Sequence, residues 1–243
     1  MVLNLNTLGD MNRFDKEEIL NNIYDYDNHN DIVEVLLKDS DSLVRSAVAE
    51  ALEDEALYIN AKNALINLSS DKDSLVRTSA VESLQYYHAE DVYFHVKKKL
   101  INETDFLVKS YAVTSLTNLG LHFKKEEEVK SLFKTMLLIE KSSYCKAYFY
   151  YNLIVLGDII YLDLLLKLLN ARSYRTQIIT IKFLTYLIED KTIPENKNHI
   201  IFYAIKKREM KKNVFSVQDN IEKSLYKINE LLNNKNTESE SRE

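Results

Sequence analysis

The sequence predicts an all-α fold, a right-handed α-solenoid of about six stacked helix pairs, and three observations carry that prediction. A fourteen-residue phrase recurs almost unchanged, as "DSDSLVRSAVAEAL" at 39–52 and "DKDSLVRTSAVESL" at 71–84. Only 3 Gly and 1 Pro occur in 243 residues, far below the usual roughly 7% and 5%, and sheets and long loops need those residues at their turns. Hydrophobic residues make up 46% of the chain, enough for a core shared along a repeat array.

Four further copies keep the phase: "ETDFLVKSYAVTSL" (103–116), "EKSSYCKAYFYYNL" (140–153), "ARSYRTQIITIKFL" (171–184) and "KNVFSVQDNIEKSL" (212–225). Their starts are separated by 32, 32, 37, 31 and 41 residues. Each copy opens on polar residues suited to a helix N-cap, as at Asp41, Asp73 and Asp105. An apolar stripe follows. Val44, Val76, Val108 and Cys145 come first, then Val48, Ala80, Ala112 and Phe149, then Leu52, Leu84, Leu116, Leu153, Leu184 and Leu225. Spacing of i, i+4, i+8 places these on one buried face of a helix. A second apolar-periodic segment precedes each copy, beginning with "DIVEVLLK" (31–38) and ending with "PENKNHIIFYAIKK" (194–207), where Pro194 suits a first turn. Each unit therefore reads as helix, turn, helix, and such a pair buries its apolar faces only by stacking on its neighbours.

The ends differ from the repeats. Residues 1–30 read as an N-terminal segment with a capping helix at 15–26, where Asp15 and Glu18 stand at capping-box spacing. Residues 31–232 read as the solenoid. The polar stretch 233–243 has no apolar residue and is expected to be disordered.

The segment "LLKDSDSLVRSAVAEAL" resembles the bacterial form of the HEAT repeat, the type also found in bilin lyases. In that pattern an Asp begins the turn between helices, and Val-Arg opens the second helix. Asp39 with Arg45 and Asp71 with Arg77 match it; Glu103 with Lys109 and Glu140 with Lys146 match conservatively; Ala171 with Gln177 and Lys212 with Gln218 depart from it. The resemblance implies a structural ladder of Asp39, Arg45, Asp71, Arg77 and Lys109, tying each turn to its neighbours. It also implies that second helices line a concave side, with outward positions one and five residues after the Arg position. The fifth-position set runs from acidic Glu50 and Glu82 through Thr114 and Tyr151 to basic Lys182 and Lys223.

Charge follows the same gradient. Residues 1–120 hold 21 acidic and 11 basic residues, a balance of −10, and the remainder holds 16 and 21, a balance of +5. Such polarity orients a similarly polarised partner. Consecutive tyrosines at 148, 150 and 151 cannot all face inward, so Tyr148 or Tyr151 is expected to contact that partner. Glu50, Glu82, Tyr148, Tyr151, Lys182 and Lys223 are thus the candidate partner-binding set.

Chemistry is less visible. Cys145 takes the place of Val44 and Val76, which predicts a buried thiol. No two of the five histidines stand at i, i+4 and none precedes a Glu, which argues against a metal site and against the deoxyhypusine hydroxylase type of HEAT enzyme. No cofactor is expected, and nucleic acid is a poor partner for a chain of pI about 5.7 without Trp. The most apolar segment, 159–169, is too short to span a bilayer. No secretory signal opens the chain. No membrane partner and a cytoplasmic, bacterial setting are therefore expected. The reading is a non-catalytic module that binds a protein partner. The alternatives are an immunity or antitoxin protein masking a toxin domain, and a HEAT-like enzyme of the bilin lyase or DNA glycosylase type.

Overall fold

The computed structural model describes residues 1–240, with side chains as far as residue 232. Among the described residues fourteen α-helices follow one another with no strand, the makeup of an all-α solenoid. They are α1 (Leu5–Leu8), α2 (Arg13–Asn21), α3 (His29–Leu36), α4 (Ser42–Ala51), α5 (Ala61–Leu68), α6 (Ser74–Ser83) and α7 (Glu90–Asn102). After them come α8 (Phe106–His122), α9 (Glu126–Leu137), α10 (Ser143–Val155), α11 (Leu162–Lys167), α12 (Tyr174–Glu189), α13 (Asn198–Glu209) and α14 (Phe215–Glu240). The six repeat copies correspond to α4, α6, α8, α10, α12 and α14. Helix α14 runs as far as Glu240. Residues 241–243 lie outside the described residues.

The chain forms two compact units, Met1–Val129 and Lys130–Glu243. In the first, α2 packs on α4, α4 on α6 and α6 on α8, while α1 packs on α3. In the second, α10 packs on α12 and α12 on α14. Second helices thus stack on second helices within each unit. The predicted stripe is the core: Val44 and Val48 of α4 and its C-cap Leu52 are fully buried, and so are their counterparts down to Leu184; Leu225 is 9% exposed.

The second helices start where the sequence expects. The carboxylates of Asp41, Asp73 and Asp105 accept backbone N–H bonds from Leu43, Leu75 and Leu107 at 2.8–2.9 Å. The preceding acid of each repeat shapes the turn before that cap. Asp39 and Asp71 each accept the backbone N–H two residues on at 2.8 Å, and Glu103 accepts that of Asp105 at 3.0 Å.

Those same acids hold the ladder. Arg45 reaches forward, not back: its Nε and Nη2 donate to the Asp71 carboxylate at 2.8 and 2.9 Å, while Nη1 donates to the backbone oxygens of Asp39 and Ser40. Arg77 repeats this toward Glu103 at 3.2 and 3.4 Å. Lys109 occupies the equivalent place on α8 and is half-buried. Arg45 holds Asp71 below the usual carboxylate range, and the Asp105 N–H with Lys99 and Arg77 pulls Glu103 down to about 2 against the effect of burial.

The N-terminal segment is more than a cap. Lys16 stands six residues after Asp10, as Arg45 does after Asp39, and its Nζ pairs with Asp39 at 2.7 Å while donating to the Gly9 carbonyl. Helices α1 and α2 therefore form a truncated extra repeat that adds the first rung. The expected helix at 15–26 starts earlier, because Asn12 is the N-cap. Its Oδ1 accepts from the Asp15 N–H and its Nδ2 donates to the Asp15 carboxylate. Asp15 is thus the inner member of the capping box, where the sequence reading had made it the cap.

In the second unit the rung is inverted. Gln177, which replaces the Arg, donates Nε2 to the Ala171 carbonyl at 2.5 Å and accepts from Arg208 of α13 at 2.9 Å. Arg208 also donates Nε to the Leu169 carbonyl at 3.0 Å. Donor and acceptor exchange elements, and the stacking survives the loss of the motif.

Three second helices end in a left-handed residue: Lys124 (φ 56°), Gly157 (φ 98°) and Lys191 (φ 52°). Each is followed by the 6→1 bond of a Schellman motif, as in Asp158 N–H to Leu153 O at 2.8 Å. Only Gly157 takes that conformation without steric cost. Lys191→Gly is accordingly expected to raise stability by about 0.5–1 kcal/mol and Gly157→Ala to lower it by a similar amount. Thermal melts of the two variants check this, and a pair of unchanged melting temperatures would count against it. Gly120 answers a different need, since a Cβ there would lie 2.7 Å from Val129 Cγ2.

Candidate functional site

On the second helices of the first unit the surface is acidic over an apolar floor. Glu50 is exposed at the end of α4 and Glu82 is half-buried near the end of α6. The Ser79 hydroxyl donates to Glu50 at 2.9 Å and lies 2.8 Å from the Ser46 hydroxyl. Glu50 also borders a cleft of about 460 Å³ with Glu17, Leu20, Leu43 and Leu75.

Glu53 joins this group. Burial, with Glu53 and Glu50 nearby, pushes the Glu82 carboxyl up to about 7, and burial with Glu50 raises Glu53. Burial and the same carboxylates raise Tyr86 as well. Like charges gathered at a partly dry surface are costly to ionise. The folded chain keeps a proton on Glu82 until about pH 7, whereas an unperturbed Glu releases it near 4.5. Stability therefore falls as pH rises through that window. Glu82→Gln is expected to remove this slope and to stabilise the chain by about 1 kcal/mol above neutrality, after allowance for solvent screening, with no gain below about pH 4. Urea titrations across that range check it; an equal gain at every pH would contradict the assignment.

In the second unit the corresponding surface is aromatic and basic. Tyr151 stacks face to face on Phe183 with centroids 4.2 Å apart and planes 9° from parallel, and Tyr148 meets the same ring edge-on at 4.9 Å. Tyr148 is only 5% exposed and also contacts Tyr144, so it is a buried support and not the presented ring. This corrects its place in the candidate binding set, because Phe183 of the neighbouring helix widens the buried face to include it. Tyr151 is half-buried, and burial, followed by Asp190, pushes its hydroxyl up to about 12. Lys182 is exposed, and exposed Lys223 pairs with Asp219 at 2.8 Å.

The positions one residue after the Arg are also corrected. Ser46, Thr78, Ser110 and Ala147 are buried. Small side chains there let successive second helices approach closely, as the Ser46–Ser79 contact shows, so these positions form a seam and not an outer surface. The outward neighbours are instead Leu43 and Leu75, each 38% exposed. Sequence reasoning missed Glu53 and Glu17, which lie outside the repeated phrase, and Phe183, which lies inside a weak copy.

Cys145 is fully buried. Among the described residues no group of three or more His, Cys, Asp or Glu is placed to hold a metal ion, and no helix is long and apolar enough to cross a membrane.

The family model for HEAT repeats matches residues 29–117. Among solved structures, the crystal structure of an engineered protein is similar at 18% identity, over 91% of this chain and 98% of that one, with a TM-score of 0.40. No curated protein matches the chain.

Proposed function

The chain carries HEAT repeats over residues 29–117, and from that premise we propose that it is a non-catalytic module whose second helices bind a protein partner. HEAT repeats generally mediate protein interaction. The single observation that carries the reading is the carboxylate group of Glu50, Glu53 and Glu82 beside the exposed Leu43 and Leu75. An apolar floor with a charged rim is the makeup of a binding surface. A partner segment bearing Lys or Arg would relieve the repulsion among those acids and would favour the ionised Glu82.

The first unit holds 24 acidic and 13 basic residues, a balance of −11, which supports a basic partner surface. A toxin domain with a basic active surface is the specific form of that reading, and the chain would then be its immunity protein. In the second unit, Tyr151 with Lys182 and Lys223 offers a separate aromatic and cationic face.

The test is affinity capture from the native host with wild type, with a Glu50→Lys/Glu82→Lys variant and with Tyr151→Ala. The acidic-face variant is expected to lose the partner, and wild-type capture is expected to weaken as salt rises. Recovery of the same partner by all three proteins at equal yield would defeat the reading.

A further inference from the structure

We propose that the edge of the second unit formed by its helix-to-helix turns docks on an anionic phospholipid membrane surface. Three turns make this edge: 138–142 between α9 and α10, 168–173 between α11 and α12, and 210–214 between α13 and α14. They are held side by side. The Ser143 and Thr176 hydroxyls lie 3.0 Å apart, Arg208 Nε donates to the Leu169 carbonyl at 3.0 Å, and Lys211 Nζ donates to Asn170 Oδ1 at 2.6 Å.

Large apolar side chains stand out from all three. Leu138, Ile139, Met210 and Phe215 are 79–86% exposed, and Val214 and Tyr174 are about half exposed. Cations surround them at Lys141, Arg172, Arg175, Lys211 and Lys212, all exposed. The acids of this edge are Glu140 and Glu209. Both are half-buried, and Glu140 is turned into its own turn, accepting the Lys141 and Ser142 N–H groups at 2.8 Å.

The equivalent turns of the first unit are the opposite in character. They carry Asp39, Asp41, Asp71, Asp73, Glu103 and Asp105, and of the apolar residues beside them Leu43, Leu75 and Phe106 are 38–41% exposed and Ile101 is 51% exposed, against 79–86% at Leu138, Ile139, Met210 and Phe215. The apolar and basic character therefore belongs to one edge and not to the repeat as such.

The shape of the edge selects the occupant. Side chains that stand 79–86% exposed on separate turns would need a matching pocket for each on a folded partner. A fluid interface takes protruding apolar side chains without any, and Lys and Arg beside them attract anionic headgroups. The expectation of no membrane partner rested on the lack of a spanning segment, which peripheral docking does not require.

Co-sedimentation of the full chain with vesicles of phosphatidylcholine, alone or mixed with phosphatidylserine, tests this. Binding to the mixed vesicles is expected to exceed binding to neutral ones by about tenfold at low salt and to weaken at high salt. Ile139→Ser/Phe215→Ser is expected to cut it by about tenfold or more, with an unchanged melting temperature because both side chains are exposed. Lys211→Glu/Lys212→Glu is expected to abolish the phosphatidylserine preference. Wild type left in the supernatant with mixed vesicles overturns the proposal, and so does binding indifferent to the apolar substitutions. If vesicle binding is absent while Ile139→Ser/Phe215→Ser loses a protein that wild type captures, the edge is a protein-docking surface and the proposal fails. None of these substitutions touches Glu50, Glu82 or Tyr151, so the second-helix reading stands or falls separately.

Discussion

Arg45→Ala is expected to lower the unfolding free energy of the first unit by about 3–5 kcal/mol, the loss typical of removing one partner from a buried, hydrogen-bonded ion pair. Arg45 is 6% exposed and makes four hydrogen bonds, two to Asp71 and two to backbone oxygens. Truncation leaves the Asp71 charge without its cation and two carbonyls without a donor. Arg77→Ala should cost less, about 1–3 kcal/mol, because its bonds to Glu103 are longer and its side chain is less buried. Urea denaturation followed by circular dichroism gives both values. A loss below about 1 kcal/mol for Arg45→Ala would mean that water replaces the guanidinium and that the ladder is not structural. The double change Arg45→Met/Asp71→Leu should recover only the part due to the unpaired charge, because the Asp39 and Ser40 carbonyls and the Asp73 N–H still lose their partners.

Phe149→Ala is expected to cost about 3–5 kcal/mol in the second unit. The ring is fully buried at the centre of the α10 stripe and meets Phe133 of α9 edge-on with centroids 5.3 Å apart. In the first unit the same position holds Val48, Ala80 and Ala112, so the aromatic fills space that smaller residues leave to closer helices there. Removing it opens a cavity that the flanking helices can close only by shifting the whole pair. Phe149→Leu, which keeps most of the volume, should cost under about 1.5 kcal/mol. Equal losses for Ala and Leu would show that packing at this point does not follow volume.

The core was legible in the sequence because one residue class recurs at one phase: Leu52, Leu84, Leu116 and their partners need only a ruler. The ladder was legible where Asp and Arg are literal, at Asp39 through Arg77. It was not legible where its chemistry is kept by other residues. Lys16 serves as an arginine and Asn12 as an aspartate cap, so the truncated first repeat passed for a plain capping helix. At Gln177 the rung runs the other way, with its cation supplied by Arg208 from a helix that no motif marks. The candidate site was harder still. Glu50 and Glu82 stand at a repeat position, but Glu53 reaches them from beyond the end of α4, and the inward turn of Tyr148 depends on Phe183 thirty-five residues later. Facing across neighbouring helices is a property of stacking, which a single helix's periodicity does not contain.

The forward reach of the ladder bears on how such a chain can change its length. The block 39–70 carries one acceptor, Asp39, used by the residue group before it, and one donor, Arg45, used on the group after it. Excising that block would bring Lys16 opposite Asp71, and duplicating it would bring the first Arg45 opposite the second Asp39 and the second Arg45 opposite Asp71. In either case each charge keeps a mate of opposite sign. Insertions and deletions in whole multiples of this block are thus nearly silent electrostatically, whereas a cut that takes Asp39 without Arg45, or Arg45 without Asp39, strands a buried ion. Unequal exchange between neighbouring copies therefore leaves the ladder of the first unit fully paired, although every rung spans two blocks.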